Sequence, residues 1–170
     1  LNLDIDNTYA QPADLRTALA AGEVDIAVLP EPMVTIACAA NEALAAALDL
    51  TDLWENEYEL GRLVQGCVVV RTEFAQEHPD VVDAFLEEYE ASIAFLSEDI
   101  DAAAQMVEDN GIFPQAAVAK KAIPNCNVCF LAGTEMAEAM DSFAAVLFAV
   151  EPASVGGAVP GADFYYTAAE

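Results

Sequence analysis

Apolar and polar positions alternate along Leu1-Asn2-Leu3-Asp4-Ile5, the period-two signature of a half-buried strand. Residues 7–11 turn polar, and the spacing then becomes helical. Pro12 stands where a first helical turn tolerates it, Leu15 and Leu19 fall four apart on one face, and Gly22 supplies a natural stop. Residues 24–29, Val-Asp-Ile-Ala-Val-Leu, predict a second, more buried strand that ends at Pro30-Glu31-Pro32. Such a unit of about 30 residues has the size of a strand–helix–strand crossover, which joins parallel strands with a right-handed turn.

Pro32 can open the next helix, predicted through residue 48. Between 49 and 63 the periodicity fades, with Trp54 and Tyr58 among acids and Gly61 breaking the pattern, and a connection is expected there. Residues 64–71, Val-Gln-Gly-Cys-Val-Val-Val-Arg, read as one strong strand. Beyond it the chain is nearly all helix. Helices are predicted over 72–78 and 79–99, the second with Val82, Phe85, Leu86, Tyr89, Ile93 and Leu96 on one apolar stripe. Others follow over 99–111, 113–123 and 134–150, the last with Thr134 as N-cap and Glu135 in its first turn. The turn-rich tail ends in Phe164, Tyr165 and Tyr166, which should dock on something. Three strands against this many helices make too little sheet for a doubly wound fold. Either the domain is mostly helical or its sheet partners lie in sequence beyond these 170 residues.

An apolar fraction of 56% argues for a folded chain. The charge is extreme: 5 Lys+Arg against 30 Asp+Glu, net −25, which repels nucleic acid and anionic lipid and argues against both as partners. The acids show no calcium-loop spacing and read as a solvated surface, with a salt-adapted host as the alternative. No apolar run reaches membrane-helix length. The chain opens on Leu1 in mid-pattern, as a processed product or a trimmed piece would.

Candidate chemistry is sparse. Cys126 and Cys129 form a C-x-x-C, but with one such pair and one histidine a zinc site is short of ligands, and Pro124 and the apolar residues around Cys129 predict an irregular segment and not a helix start. Buried thiols or one structural disulfide are expected. No nucleophile elbow, P-loop or dinucleotide fingerprint occurs, and His78 sits at a helix junction before Pro79. No catalytic residue, metal or cofactor is therefore assigned. The remaining candidate is the loop at Pro30-Glu31-Pro32, together with residues 8–11. Both lie at carboxyl ends of predicted parallel strands, where open α/β sheets bind ligands, and both feed helix N-termini whose free N–H groups suit polar or anionic groups. The prolines would stiffen the loop and fix where Glu31 points. A plain strand end that starts a helix is the competing reading.

The stretch "ADLRTALAAGEVDIAVLPEP" resembles the extracytoplasmic solute-binding proteins of ABC importers, in the type II group related to nitrate, sulfonate and taurine binders. The resemblance continues through "QGCVVVRTEFAQEHPDVVDAFLEEYEASI", "AKKAIPNCNVCFLAG" and "SVGGAVPGADFYY", and so runs over essentially all 170 residues, matched to the C-terminal half of such a protein. It implies an α/β, two-lobed fold of which this is a helix-rich C-terminal portion. Residues 1–60 would be part of the second lobe and 61–170 a crossover strand and helices returning to the first. It further implies capture of a small solute between the lobes, delivery to an ABC permease, and a place at the cell surface as a lipoprotein or in the periplasm. This half would contribute Thr8, Tyr9, Pro30, Glu31, Pro32, Gln65 and Gly66 to the cleft. Helices with no sheet to cover would leave Phe85, Tyr89 and Ile93 exposed, so association with the N-terminal half of the same protein, or self-association, is expected. Two alternatives stand: an enzyme on the same fold, similar to those that make the thiamine pyrimidine, and an acidic protein-interaction module.

Overall fold

The stripe on the longest predicted helix is where the fold is easiest to follow. A computed structural model describes residues 6–167, and in it this helix, here α5, runs Pro79–Glu98. Before it come α1 (Pro12–Ala21), α2 (Met33–Ala40), the short α3 (Leu50–Asp52) and α4 (Thr72–Glu77). After it come α6 (Ile100–Asp109), α7 (Ala116–Ala122) and α8 (Gly133–Val150). The chain is helix-rich, 60% helical, and no strand occurs among the described residues.

That last fact corrects two expectations. Residues 24–29 and 64–71 are not strands here, because a strand exists only through hydrogen bonds to a neighbour, and no backbone hydrogen bond among the described residues reaches 24–29 or 64–70. The strand predicted over residues 1–5 lies outside the described residues.

The chain forms two compact units. One takes in the chain as far as Ala47 together with Ser92–Val128; the other takes in Leu48–Ala91 and the chain from Cys129 onward. In the first, α1 packs on α2, α6 on α7, and α2 on α7. Gly22 closes α1 in the left-handed region (φ 75°), its N–H reaching the carbonyls of Ala18 and Leu19, and the Asp99 carboxylate caps α6 through Ala102 N. α2 stops eight residues short of its predicted end. Asn41 turns extended, its amide donates to Ala20 O at 3.2 Å, and its own oxygen accepts Ala43 N at 3.0 Å. A side chain that offers the backbone these bonds competes with the next helical turn.

In the second unit the stretch read as a connection holds a helical turn. Asp49 accepts the N–H groups of Thr51 and Asp52, α3 follows, and Leu53–Glu57 widens into a π turn. The Trp54 ring meets Phe143 of α8 at 5.5 Å. Gly61 (φ 81°) passes so close to α8 that an added Cβ would lie 3.2 Å from Ser142 Cβ, which explains a glycine there. α8 starts at Gly133 after Ala132, without a side-chain cap, so Thr134 lies inside the helix and is not its N-cap; Glu135 does fall in the first turn. The tail docks through both tyrosines: Tyr165 OH donates to Asp141 Oδ1 of α8 at 2.6 Å, and Tyr166 OH to Asp83 Oδ1 of α5 at 3.1 Å.

The buried apolar set among the described residues is nine alanines and Val82. Small side chains bring helices close but remove little apolar area from water, whereas a buried Leu, Ile or Phe contributes about 1.5–3 kcal/mol. The larger apolar groups lie outside. Phe85 and Tyr89 of α5 are exposed and stack at 5.5 Å, while Ile93 is half-buried.

Candidate functional site

The loop at residues 30–32 is built by the start of α2. Pro30 O accepts Met33 N at 2.9 Å and Val34 N at 3.3 Å, and Pro32 O accepts Ile36 N at 3.0 Å. Glu31 reaches forward, its Oε2 accepting Thr35 N at 3.2 Å. The peptide between Glu31 and Pro32 is cis. The first N–H groups of α2 are thus already paired within the chain, which corrects the expectation that this terminus offers them free to an anion. The acid itself takes the place such an anion would occupy.

Two further groups in the same unit bear on this loop. The Glu31 charge lies close enough to Cys126 to act on its thiol, which is pushed upward first by burial and then by that carboxylate. The thiol also donates to Ala122 O at 3.3 Å. At residues 6–9, Asp6 Oδ1 accepts both the N–H (2.8 Å) and the hydroxyl (2.5 Å) of Thr8, and these two bonds hold the Asp6 carboxyl below its usual range. Tyr9 OH donates to Glu23 Oε2 at 3.4 Å. Its phenol is raised by desolvation first, then by the Glu23 charge and hydrogen bond, and last by Asp6. Thr8 and Tyr9 are therefore tied locally, to Asp6 and Glu23.

Gln65 and Gly66 belong to the other unit and lie exposed. A Cβ on Gly66 would meet nothing within 4 Å, so no packing among the described residues demands a glycine there. His78 ends α4, its ring tilted against Phe74 at 5.0 Å, and lies exposed at the helix junction.

All four cysteines are free thiols, Cys38 half-buried and Cys67, Cys126 and Cys129 exposed, which corrects the expectation of buried thiols or a disulfide. The residues around the C-x-x-C are irregular, following a short 3-10 turn over Ile123–Asn125. Among the described residues no group of three or more His, Cys, Asp or Glu is placed to hold a metal ion, and no helix is long and apolar enough to cross a membrane.

One concavity escaped the sequence reading. An apolar hollow of about 600 Å³ opens in the first unit, lined by Ile93, Leu96 and Ile100 on one side and by Ile123, Pro124 and Val128 on the other. Its signal lies in Ile93 and Leu96, the last two positions of the apolar stripe predicted for α5.

No protein-family model matches the chain, and no curated protein does. Among solved structures, the fold is similar to a crystal structure described as an ABC transporter from Parabacteroides distasonis, with a TM-score of 0.83 and 26% sequence identity. The match covers 98% of this chain and 57% of that one, so the chain spans little more than half the length of that protein. The fold of this chain is transporter-related.

Proposed function

We propose that this chain is part of the solute-binding component of an ABC importer, of the type II kind related to nitrate, sulfonate and taurine binders, and that it works outside the cytoplasm as a surface lipoprotein or a periplasmic protein. The observation that carries this reading is the structural match along 98% of the chain to a protein described as an ABC transporter. The order of motifs along the sequence supports the finer assignment to a binding component. A small solute would be captured in an inter-lobe cleft by hinge closure and passed to the permease. In this reading Thr8, Tyr9, Pro30, Glu31, Pro32, Gln65 and Gly66 are the chain's share of the cleft, with 1–60 in one lobe and 61–170 returning to the other. The compact units add a feature to that scheme: residues 92–128 pack with the first 47.

Glu31 is the residue whose chemistry constrains the solute. One carboxylate oxygen is engaged by Thr35 N, and the other is left to accept from a donor. That favours a solute carrying an amine or hydroxyl at this point and disfavours an anion. The test is a thermal-shift panel of amines, amino acids, oxyanions and heteroaromatic bases on the intact protein. A Tm rise with a donor-bearing class is expected. A panel without any shift, together with turnover of a pyrimidine-forming reaction, would replace this reading by the enzyme.

A further inference from the structure

Of the five cationic side chains, Arg16 on α1 is half-buried, whereas Arg62, Arg71, Lys120 and Lys121 are exposed. Arg62 and Lys120 have carboxylate partners, Glu135 and Asp101. Arg16 has none among the described residues, in a chain that carries 30 Asp+Glu. A guanidinium offers its N–H donors in a planar fork. Here Nη2 donates to Thr17 Oγ1 at 3.2 Å, and no other hydrogen bond from Arg16 occurs among the described residues. The Thr17 hydroxyl in turn donates to Ala13 O at 2.8 Å, so one arm of the fork is anchored on its own helix. A partly desolvated charge with the rest of its fork unfilled is costly until an acceptor meets it.

The fork borders an apolar groove of about 270 Å³ between α1 and α2, lined by Arg16, Thr17 and Ala20 on one helix and by Ile36, Ala37 and Ala40 on the other. Three alanines leave the space, and the Asn41 amide on Ala20 O at 3.2 Å ties the last turns of the two helices together beside it. The volume falls just below the roughly 300–1,000 Å³ of drug-sized ligand sites, which limits the occupant to a small molecule. Arg16 is the one charged residue of the lining, and the paired N–H groups of a guanidinium match a carboxylate bidentately. The net charge of −25 opposes any anion, but salt limits the reach of each surface carboxylate to about 10 Å at 0.1 M. We propose that the groove between α1 and α2 binds a small molecule with a carboxylate head on Arg16 and a short apolar body along Ala20, Ile36, Ala37 and Ala40. Glu31 is not among the lining residues, and the proposal does not rest on the solute-binding reading.

Calorimetric titration of the intact protein with pentanoate tests it, with pentanamide as the neutral analogue and inorganic phosphate as an anion without an apolar body. The proposal expects saturable pentanoate binding, with pentanamide and phosphate each weaker by about tenfold or more. Arg16→Gln should weaken pentanoate to the level of pentanamide, and Arg16→Lys should recover part of the loss, because the charge returns without the fork. Ala40 is exposed, and Ala40→Leu keeps a good helix former there. That variant should fill the groove and weaken pentanoate on the order of tenfold while the thermal midpoint stays where it was. No saturation, or equal binding of pentanoate and pentanamide, overturns the proposal. So does pentanoate binding that survives Arg16→Gln or Ala40→Leu. Phosphate bound as tightly as pentanoate overturns it in favour of a bare anion site. Glu31→Gln should leave pentanoate binding unchanged, and a loss there would move the molecule to the Glu31 loop and overturn the groove. A solute panel that fails at Glu31 leaves the pentanoate result standing.

Discussion

The carboxylate of Glu31 accepts the backbone N–H of Thr35 at 3.2 Å, so the acid between two prolines closes the first turn of the helix it precedes. Glu31→Ala should lower stability by about 1 kcal/mol, the usual cost of losing a helix cap, and Glu31→Gln should restore most of it because the amide oxygen still accepts. Denaturant midpoints of the two variants measure this. If solute affinity also falls in Glu31→Gln, the same residue serves the ligand; if only Glu31→Ala is affected, and only in stability, it is a cap.

The same carboxylate acts on Cys126. Burial and then the Glu31 charge push the thiol upward, so less thiolate is present at a given pH and alkylation is slowed. Neutralising the acid by Glu31→Gln should speed alkylation of Cys126 at pH 8 while the burial contribution remains. Peptide-resolved labelling reads the rate, and an unchanged rate would separate the two groups.

The extent of the fold that was legible follows from what each element depends on. The α1, α4, α5 and α6 helices were readable because stripe, proline and glycine signals are carried by the helix itself. The end of α2 at Ala40 is not legible in the sequence, because the bond from Asn41 to Ala20 O involves a residue 21 positions away. The turn at 49–57 is hidden in the sequence although Asp49 is an ordinary cap, since the acids around it mask the pattern. The apolar character of 24–29 and 64–70 is plain in the sequence, but strand pairing depends on a partner, and no backbone hydrogen bond reaches them among the described residues. The local ties of Thr8 and Tyr9 to Asp6 and Glu23 were not readable, because many acids lay within reach in sequence.

The tail tyrosines set an alkaline limit. Tyr165 donates to Asp141, and burial followed by that hydrogen bond and charge raises its phenol from 10.0 to about 12. A phenol that titrates higher in the folded state contributes its stability fully below pH 10 and loses it as pH rises through the folded value. Unfolding midpoints should therefore drop between pH 10 and about 12. Tyr165→Phe should flatten that drop and cost about 1 kcal/mol or less at neutral pH, since the phenol is only half-buried and solvent screens its bond.

Net charge predicts a salt response. The chain carries −25, its described residues bury no charged side chain, and they hold two ion pairs, Arg62 with Glu135 and Lys120 with Asp101. Screening length falls from ~10 Å at 0.1 M salt to ~3 Å at 1 M, so mutual repulsion of the surface carboxylates fades across that range. The thermal midpoint should climb with NaCl or KCl, most steeply at the low end. A flat or falling profile would show that the acids are spaced widely enough not to matter.

Equilibrium titration of the intact protein with the solutes that stabilise it, read by calorimetry, addresses the solute-binding role most directly. The account predicts saturable binding of one donor-bearing small molecule per protein, weakened by Glu31→Gln. Titrations that stay flat for every class of solute, in a protein whose helices are folded, would contradict it.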